Sequence, residues 1–94
     1  MKKVSLKKAI EILGGTDIEL KAGYYYCSGF FNLNGQLYYI STADIRTTPL
    51  NNGRSIMYRT AKDRKDFTGG TNLWDFADRL AEKGYEVGSC RYKV

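Results

Sequence analysis

The sequence predicts a small single α+β domain in which a mainly antiparallel sheet of four or five strands packs with two short helices. Three observations lead to this fold class. The 94 residues are the size of one domain with a single core. Apolar residues recur with helical spacing in two separate segments, and the pair Asn34-Gly35 lies between two apolar runs, which is typical of a β-hairpin. The predicted order of elements is α-β-β-β-β-α-β.

The first helix is predicted over residues 5–13. Ser5 is a favourable N-cap, two glycines follow the segment, and its apolar residues fall on one face: Leu6, Ala9, Ile10 and Leu13. Four lysines near this helix are expected to form a solvated surface rather than a binding site: Lys2, Lys3, Lys7 and Lys8. Residues 17–21 alternate between apolar and charged side chains, which favours a short strand before the hairpin.

The hairpin covers residues 24–45, and its turn is predicted to be type I′ because Asn and Gly both accept a positive φ. Pairing across a two-residue turn places Phe31 opposite Tyr38 and Phe30 opposite Tyr39. One face then carries Tyr25, Cys27, Phe31, Leu33, Tyr38 and Ile40. The other carries Tyr24, Tyr26, Phe30, Leu37, Tyr39, Ala43 and Ile45. Both faces are apolar or aromatic, so either the fold covers both or one is an interaction surface.

The second half of the chain is predicted to contain a surface loop, a strand, a helix and a last strand. Residues 47–54 hold the single proline and form the loop, and residues 55–61 form the strand. The helix is predicted over residues 73–83, with Asn72 as its cap and Asp75 completing a capping box. Its apolar stripe consists of Leu73, Phe76, Ala77, Leu80 and Ala81. The last strand covers residues 85–92.

Composition gives little support to an enzyme. The chain has no histidine, which is the commonest general base and the commonest transition-metal ligand. Its carboxylates show no paired spacing, and no Ser, Thr or Cys lies in a nucleophile motif. Cys27 and Cys90 are too far apart in sequence to give a metal-ligand motif. They could form a disulfide, but in a reducing compartment we expect both to be half-buried thiols. We therefore predict no catalytic residue, no metal and no cofactor.

Charge and hydropathy indicate the compartment and the kind of partner. The formal net charge is +5 and the pI is about 9.3, a balance that favours acidic partners, nucleic acid above all. Lys7, Lys8 and Glu11 interrupt any apolar core of a signal peptide, and no apolar stretch approaches the length of a membrane span. We expect a cytoplasmic protein that does not bind a membrane.

Three features are candidate binding sites. The tyrosines of the hairpin could stack on bases, pack in a protein interface, or simply form part of the core. A basic cluster could bind phosphates or form a solvated loop, and it is partly neutralised by Asp63 and Asp66: Arg54, Arg59, Lys62, Arg64 and Lys65. Residues 69–72 could offer backbone N–H groups to an anion at the start of the second helix, although a simple cap is the favoured interpretation.

These features predict a non-enzymatic binding domain that acts on nucleic acid or a nucleoprotein. The contact residues would be the basic cluster together with Tyr24, Tyr25, Tyr38 and Tyr39. The alternative is a small inhibitor or adaptor that masks a protein partner with the same surface. Small basic proteins of this type are common in phages and mobile elements, and they include anti-CRISPR-type inhibitors. An enzyme is the least favoured of the three classes.

Overall fold

Two sheets of different kinds form the framework of the protein. The computed structural model describes residues 1–22, 27–42, 56–65 and 70–89. The elements in these ranges are β1 (Lys2–Ser5), α1 (Leu6–Ile12), β2 (Thr16–Ala22), β3 (Cys27–Leu33), β4 (Gln36–Thr42), β5 (Ile56–Thr60), α2 (Phe76–Glu82) and β6 (Tyr85–Ser89). Strands β2-β3-β4-β5 form an antiparallel sheet in that order, and β1 pairs with β6 in parallel. The predicted α+β class is confirmed, whereas the separate parallel pair is new.

The hairpin of β3 and β4 has the predicted turn and register. Asn34 and Gly35 both have positive φ, 52° and 80°, as a type I′ turn requires. Phe31 lies opposite Tyr38, and Phe30 lies opposite Tyr39. Because successive side chains of a strand point to opposite faces, this register decides which aromatic rings enter the core.

The helices pack on one face of the four-stranded sheet, which we call the inner face: Cys27, Phe31, Tyr38, Ile40, Ile56 and Tyr58. These residues share a core with α1, α2, β1 and β6, and Phe31, Ile40 and Tyr58 are almost fully buried. The predicted cap of α1 is confirmed, since the Ser5 hydroxyl accepts a 3.1 Å hydrogen bond from the Lys8 N–H. No helix within the described ranges combines the length and apolarity that a membrane crossing requires.

The second helix begins later than the sequence indicates. Leu73 exchanges two backbone hydrogen bonds with Tyr58, of 2.7 and 3.1 Å, and is 38% exposed. Pairing with the edge of β5 satisfies its backbone groups, so the prediction that Leu73 starts the helix is wrong. The predicted capping box is also absent, because α2 starts at Phe76 and the Asp75 side chain makes no capping bond. The predicted stripe is confirmed at Phe76, Ala77 and Leu80, but it is wrong at Ala81, which is exposed.

Cys27 departs from the expectation of a thiol. Its side chain is buried at the start of β3 and is disulfide-bonded, so the prediction of a free thiol is wrong at this position. The backbone beside it is also fixed, since the Cys27 N–H donates a 2.9 Å hydrogen bond to the Thr42 hydroxyl. The only other cysteine of the sequence, Cys90, lies outside the described residues.

Candidate functional site

Four side chains form a row across the four-stranded sheet, on the side opposite the helices. Glu19 of β2 pairs with Phe30 of β3, which pairs with Tyr39 of β4, which in turn pairs with Arg59 of β5. Their sequence neighbours Phe31, Ile40 and Tyr58 are buried in the core, so alternation directs this row away from it. We call this side of the sheet the outer face and the four residues the cross-sheet row.

The two rings of the row are in contact with each other and with arginines. Phe30 and Tyr39 meet edge to face, with their ring centroids 5.4 Å apart. The guanidinium carbon of Arg59 lies 5.2 Å from the centroid of the Tyr39 ring, and that of Arg64 lies 6.0 Å from the centroid of Phe30. Both distances are within the range of cation–π attraction. The outer face therefore combines aromatic area with two cations.

Arg64 reaches the row from the bend that follows β5. It donates a 2.8 Å hydrogen bond to the backbone carbonyl of Asp17 and forms a 3.2 Å ion pair with the Glu19 carboxylate. The Arg64 side chain is 30% exposed and that of Glu19 is 70% exposed. An ion pair with one partner so accessible to water is worth little, about 0–1 kcal/mol. This ion pair therefore contributes little to the stability of the fold.

A groove of about 570 Å³ runs beside this ion pair. Its walls come from β2 and β3, from Tyr39 of β4 and from Arg64: Ile18, Glu19, Leu20, Lys21, Ser28, Gly29, Phe30, Tyr39 and Arg64. Gly29 allows β2 to approach β3 closely, because a Cβ at this position would collide with the Glu19 carbonyl oxygen. The groove thus offers aromatic and aliphatic surface next to a cation.

The inner side of β5 carries a polar group of a different kind. The Tyr58 hydroxyl donates a 2.7 Å hydrogen bond to the Asp75 carboxylate, whose other oxygen lies 3.0 Å from Nε of Arg79. Burial raises the pKa of Tyr58 to about 12, and the bond to Asp75 acts in the same direction. Tyr58, Asp75 and Arg79 thus bond to one another, and these contacts connect α2 to the sheet. It has the character of a structural link.

The structure brings together three of the predicted site residues, Tyr39, Arg59 and Arg64. Lys62 and Lys65 are exposed in the same bend as Arg64, and the Lys65 N–H donates a 2.7 Å hydrogen bond to the Asp63 carboxylate. Tyr38 lies on the inner face, stacked on Phe31 with centroids 5.5 Å apart. Three predicted residues lie outside the described ranges: Tyr24, Tyr25 and Arg54.

The predicted anion site at residues 69–72 does not form at a helix start. Residue 69 lies outside the described ranges, and α2 begins only at Phe76. A Cβ on Gly70 would collide with the Thr60 hydroxyl, so this segment is pressed against the end of β5. The Asn72 side-chain oxygen instead accepts a 3.4 Å hydrogen bond from Arg59.

Sequence reasoning missed Glu19 and Asn72 as neighbours of the two arginines. Extrapolating the hairpin register could not find Glu19, because the pairing of β2 with β3 shifts between Thr16 and Glu19. In the described part of the chain, no three side chains of the His, Cys, Asp and Glu types form a group suited to a metal ion. Comparison with protein-family models, curated proteins and solved structures finds no significant match for the chain.

Proposed function

We propose that this protein is a non-enzymatic binding domain for nucleic acid, alone or within a nucleoprotein, and that it binds through the outer face. The observation that carries the proposal is the cross-sheet row with Arg64 beside it. Phe30 and Tyr39 provide ring surface for stacking, which is worth about 1–3 kcal/mol per base. Arg59 lies over the Tyr39 ring and Arg64 over the Phe30 ring. A base that stacks on either ring must displace that guanidinium, which can then bind the adjacent phosphate.

The electrostatics of the face support an anionic target. Lys62 and Lys65 extend the positive charge from Arg64 into the adjacent bend, where both are exposed. The net charge of +5 favours encounter with any polyanion. A phosphate that competes with Glu19 for Arg64 would replace a weak surface ion pair with another charge-assisted contact.

The second candidate function is a small inhibitor or adaptor, of the kind found in phages and mobile elements, that masks a protein partner. The groove beside Phe30 favours it, because Ile18 and Leu20 line the groove and an apolar side chain of a partner could enter there. Tyr and Arg are also the residues most enriched at binding hot spots. Both functions use the same face, and they differ in their dependence on salt.

A cytoplasmic location remains part of the proposal. The disulfide-bonded state of Cys27 is an argument against it, since disulfides persist mainly in oxidising compartments. Alkylation of the protein during lysis of its native host in a denaturing buffer, which exposes the buried Cys27, followed by mass spectrometry, distinguishes a thiol from a disulfide. An alkylated Cys27 supports the cytoplasm, and an unmodified Cys27 contradicts it.

The test of the main proposal is a titration of labelled, mixed-sequence oligonucleotides at several salt concentrations. For a single strand, the slope of log affinity against log salt changes by about 0.7 per phosphate contact. The double variant Arg59→Gln/Arg64→Gln should therefore lower the slope by about 1.4 and weaken binding to all sequences alike.

A matched control is Lys7→Gln/Lys8→Gln, which removes the same charge from the exposed side of α1, a helix packed against the inner face. This control variant should keep most of the affinity and most of the salt slope, both of which the arginine variant loses. Equal losses in both variants would assign binding to net charge alone. If the wild type fails to bind at low salt, the nucleic-acid proposal is wrong. The protein-partner candidate then predicts faster dissociation on truncation of Tyr39, with little effect of salt.

A further inference from the structure

Residues 72–74 add a short fifth segment beside β5. Tyr58 and Leu73 form an antiparallel bridge through their two backbone hydrogen bonds. The bond from Arg59 to Asn72 shows that the residue before Leu73 lies next to the cross-sheet row. In the same antiparallel register, the residue after Leu73 lies beside Met57.

That residue is Trp74, which is 45% exposed. Side chains alternate along an extended segment, so Asn72 and Trp74 project to the side opposite Leu73. Asn72 contacts Arg59 of the outer face, and Trp74 therefore extends the outer face beside Met57. Tryptophan is the residue type with the largest ring surface and is enriched at binding hot spots, so its exposure here points to a ligand.

We propose that Trp74 is a third aromatic contact residue and that the target of the outer face is single-stranded nucleic acid, an inference that rests on the proposed function. The exposed ring of Trp74 offers a stacking surface on the same face as Phe30 and Tyr39, and only unpaired bases can stack on it. A duplex would satisfy the arginines through its phosphates but would offer no base to Trp74.

The placement of the rings also gives the path of the nucleic acid. Phe30 lies on β3, and residues 72–74 lie three strand positions away, beyond β4 and β5. Three strand spacings amount to about 14 Å. The bound strand therefore crosses β3, β4 and β5 rather than following one of them, and it passes Arg59 between Tyr39 and Trp74.

The experiment uses Trp74 as its own reporter, because it is the single tryptophan of the chain. Wild-type protein is titrated with a short mixed-sequence single strand and with the duplex of the same sequence, and emission and labelled-oligonucleotide anisotropy are recorded together. We expect the single strand to change the Trp74 emission with the same midpoint as the anisotropy. Trp74→Ala should weaken single-strand binding about 5- to 150-fold. Trp74→Phe should keep most of the wild-type affinity because it keeps an aromatic ring, whereas Trp74→Leu should lose it.

Leu73→Ala is the matched control, since it removes an exposed apolar side chain from the opposite side of the same segment. It should keep the affinity and the emission change, and thermal unfolding verifies that each variant folds. If the oligonucleotide binds while the Trp74 emission and the Trp74→Ala affinity stay unchanged, the role of Trp74 is wrong and the proposed function stands. Duplex binding as tight as single-strand binding would also overturn the inference. If the wild type binds neither oligonucleotide, the proposed function itself fails.

Discussion

Phe30 and Phe31 are neighbours in β3, yet their surroundings have little in common. Phe31 is 2% exposed, and it packs against the rings of Tyr38 and Tyr58 at centroid distances of 5.5 and 6.4 Å. Phe30 is only partly buried, and its contacts within the described ranges include the Tyr39 ring and the guanidinium of Arg64. In the described part of the chain, the rings of the inner face pack against other apolar groups, whereas each of the two rings of the outer face has an arginine beside it.

Aromatic content alone does not distinguish a core from a binding surface. Both faces of the hairpin are rich in rings, and the neighbours of the rings separate them. Apolar neighbours exclude water, and the resulting burial is the main source of stability. The Arg64 side chain beside Phe30 is 30% exposed and so stays partly hydrated. We therefore expect substitutions on the inner face to affect folding and those on the outer face to affect binding.

The largest effect is expected for Phe31→Ala. Removing a fully buried Phe ring costs about 3–5 kcal/mol, because the transfer energy is lost and a cavity remains. The total stability of a small domain starts at about 5 kcal/mol, so this variant should be largely destabilised in a urea titration. A loss below about 1 kcal/mol, the size of a surface effect, would mean that the inner face is not the core.

A smaller effect is expected for Gly35→Val, which tests the turn that keeps the two faces apart. Gly35 has a φ of 80°, and a β-branched residue there costs about 1–3 kcal/mol in backbone strain. No atom lies within 4 Å of a Cβ built at Gly35, so the cost comes from the backbone alone. Gly35→Asn is the control, since Asn tolerates this conformation. An unchanged thermal midpoint for Gly35→Val would contradict the type I′ turn.

The smallest effect is expected for Tyr58→Phe, which removes the hydrogen bond to Asp75 and should cost about 1 kcal/mol at neutral pH. The pKa of Tyr58 is raised from 10.0 to about 12 in the folded protein. The neutral hydroxyl is thus favoured by folding, and its contribution is complete below pH 10 and is lost as the pH rises towards 12. Urea midpoints of the wild type and the variant should converge over that range. A constant difference would contradict the shifted pKa.

Much of the fold could be predicted from local sequence patterns. The Asn34-Gly35 turn determines the whole register of β3 and β4, because a two-residue loop leaves one pairing. The buried stripe of α2 follows equally from helical spacing. By contrast, the pairing of β1 with β6 joins the two ends of the described chain. The four residues of β1 have a single buried position, Val4, and therefore show no periodicity that could predict a strand.

The candidate site was predictable in its residue types but not in its assembly. Arg64 belongs to the predicted basic cluster, yet its partners Asp17 and Glu19 lie 47 and 45 positions earlier in the sequence. Trp74 was assigned to a helix that begins at Phe76 instead. Its position on the outer face depends on the bridge between Leu73 and Tyr58, a tertiary contact that no local pattern indicates.

The affinity of Phe30→Ala for a single-stranded oligonucleotide is the most direct test of the difference between the two faces. Phe30 is half-buried, so the variant should lose less stability than the about 3–5 kcal/mol expected for a fully buried Phe. Its affinity should fall about 5- to 150-fold, because one stacking surface is lost. A folded Phe30→Ala variant that binds the oligonucleotide as tightly as the wild type would contradict the assignment of the outer face as the binding surface.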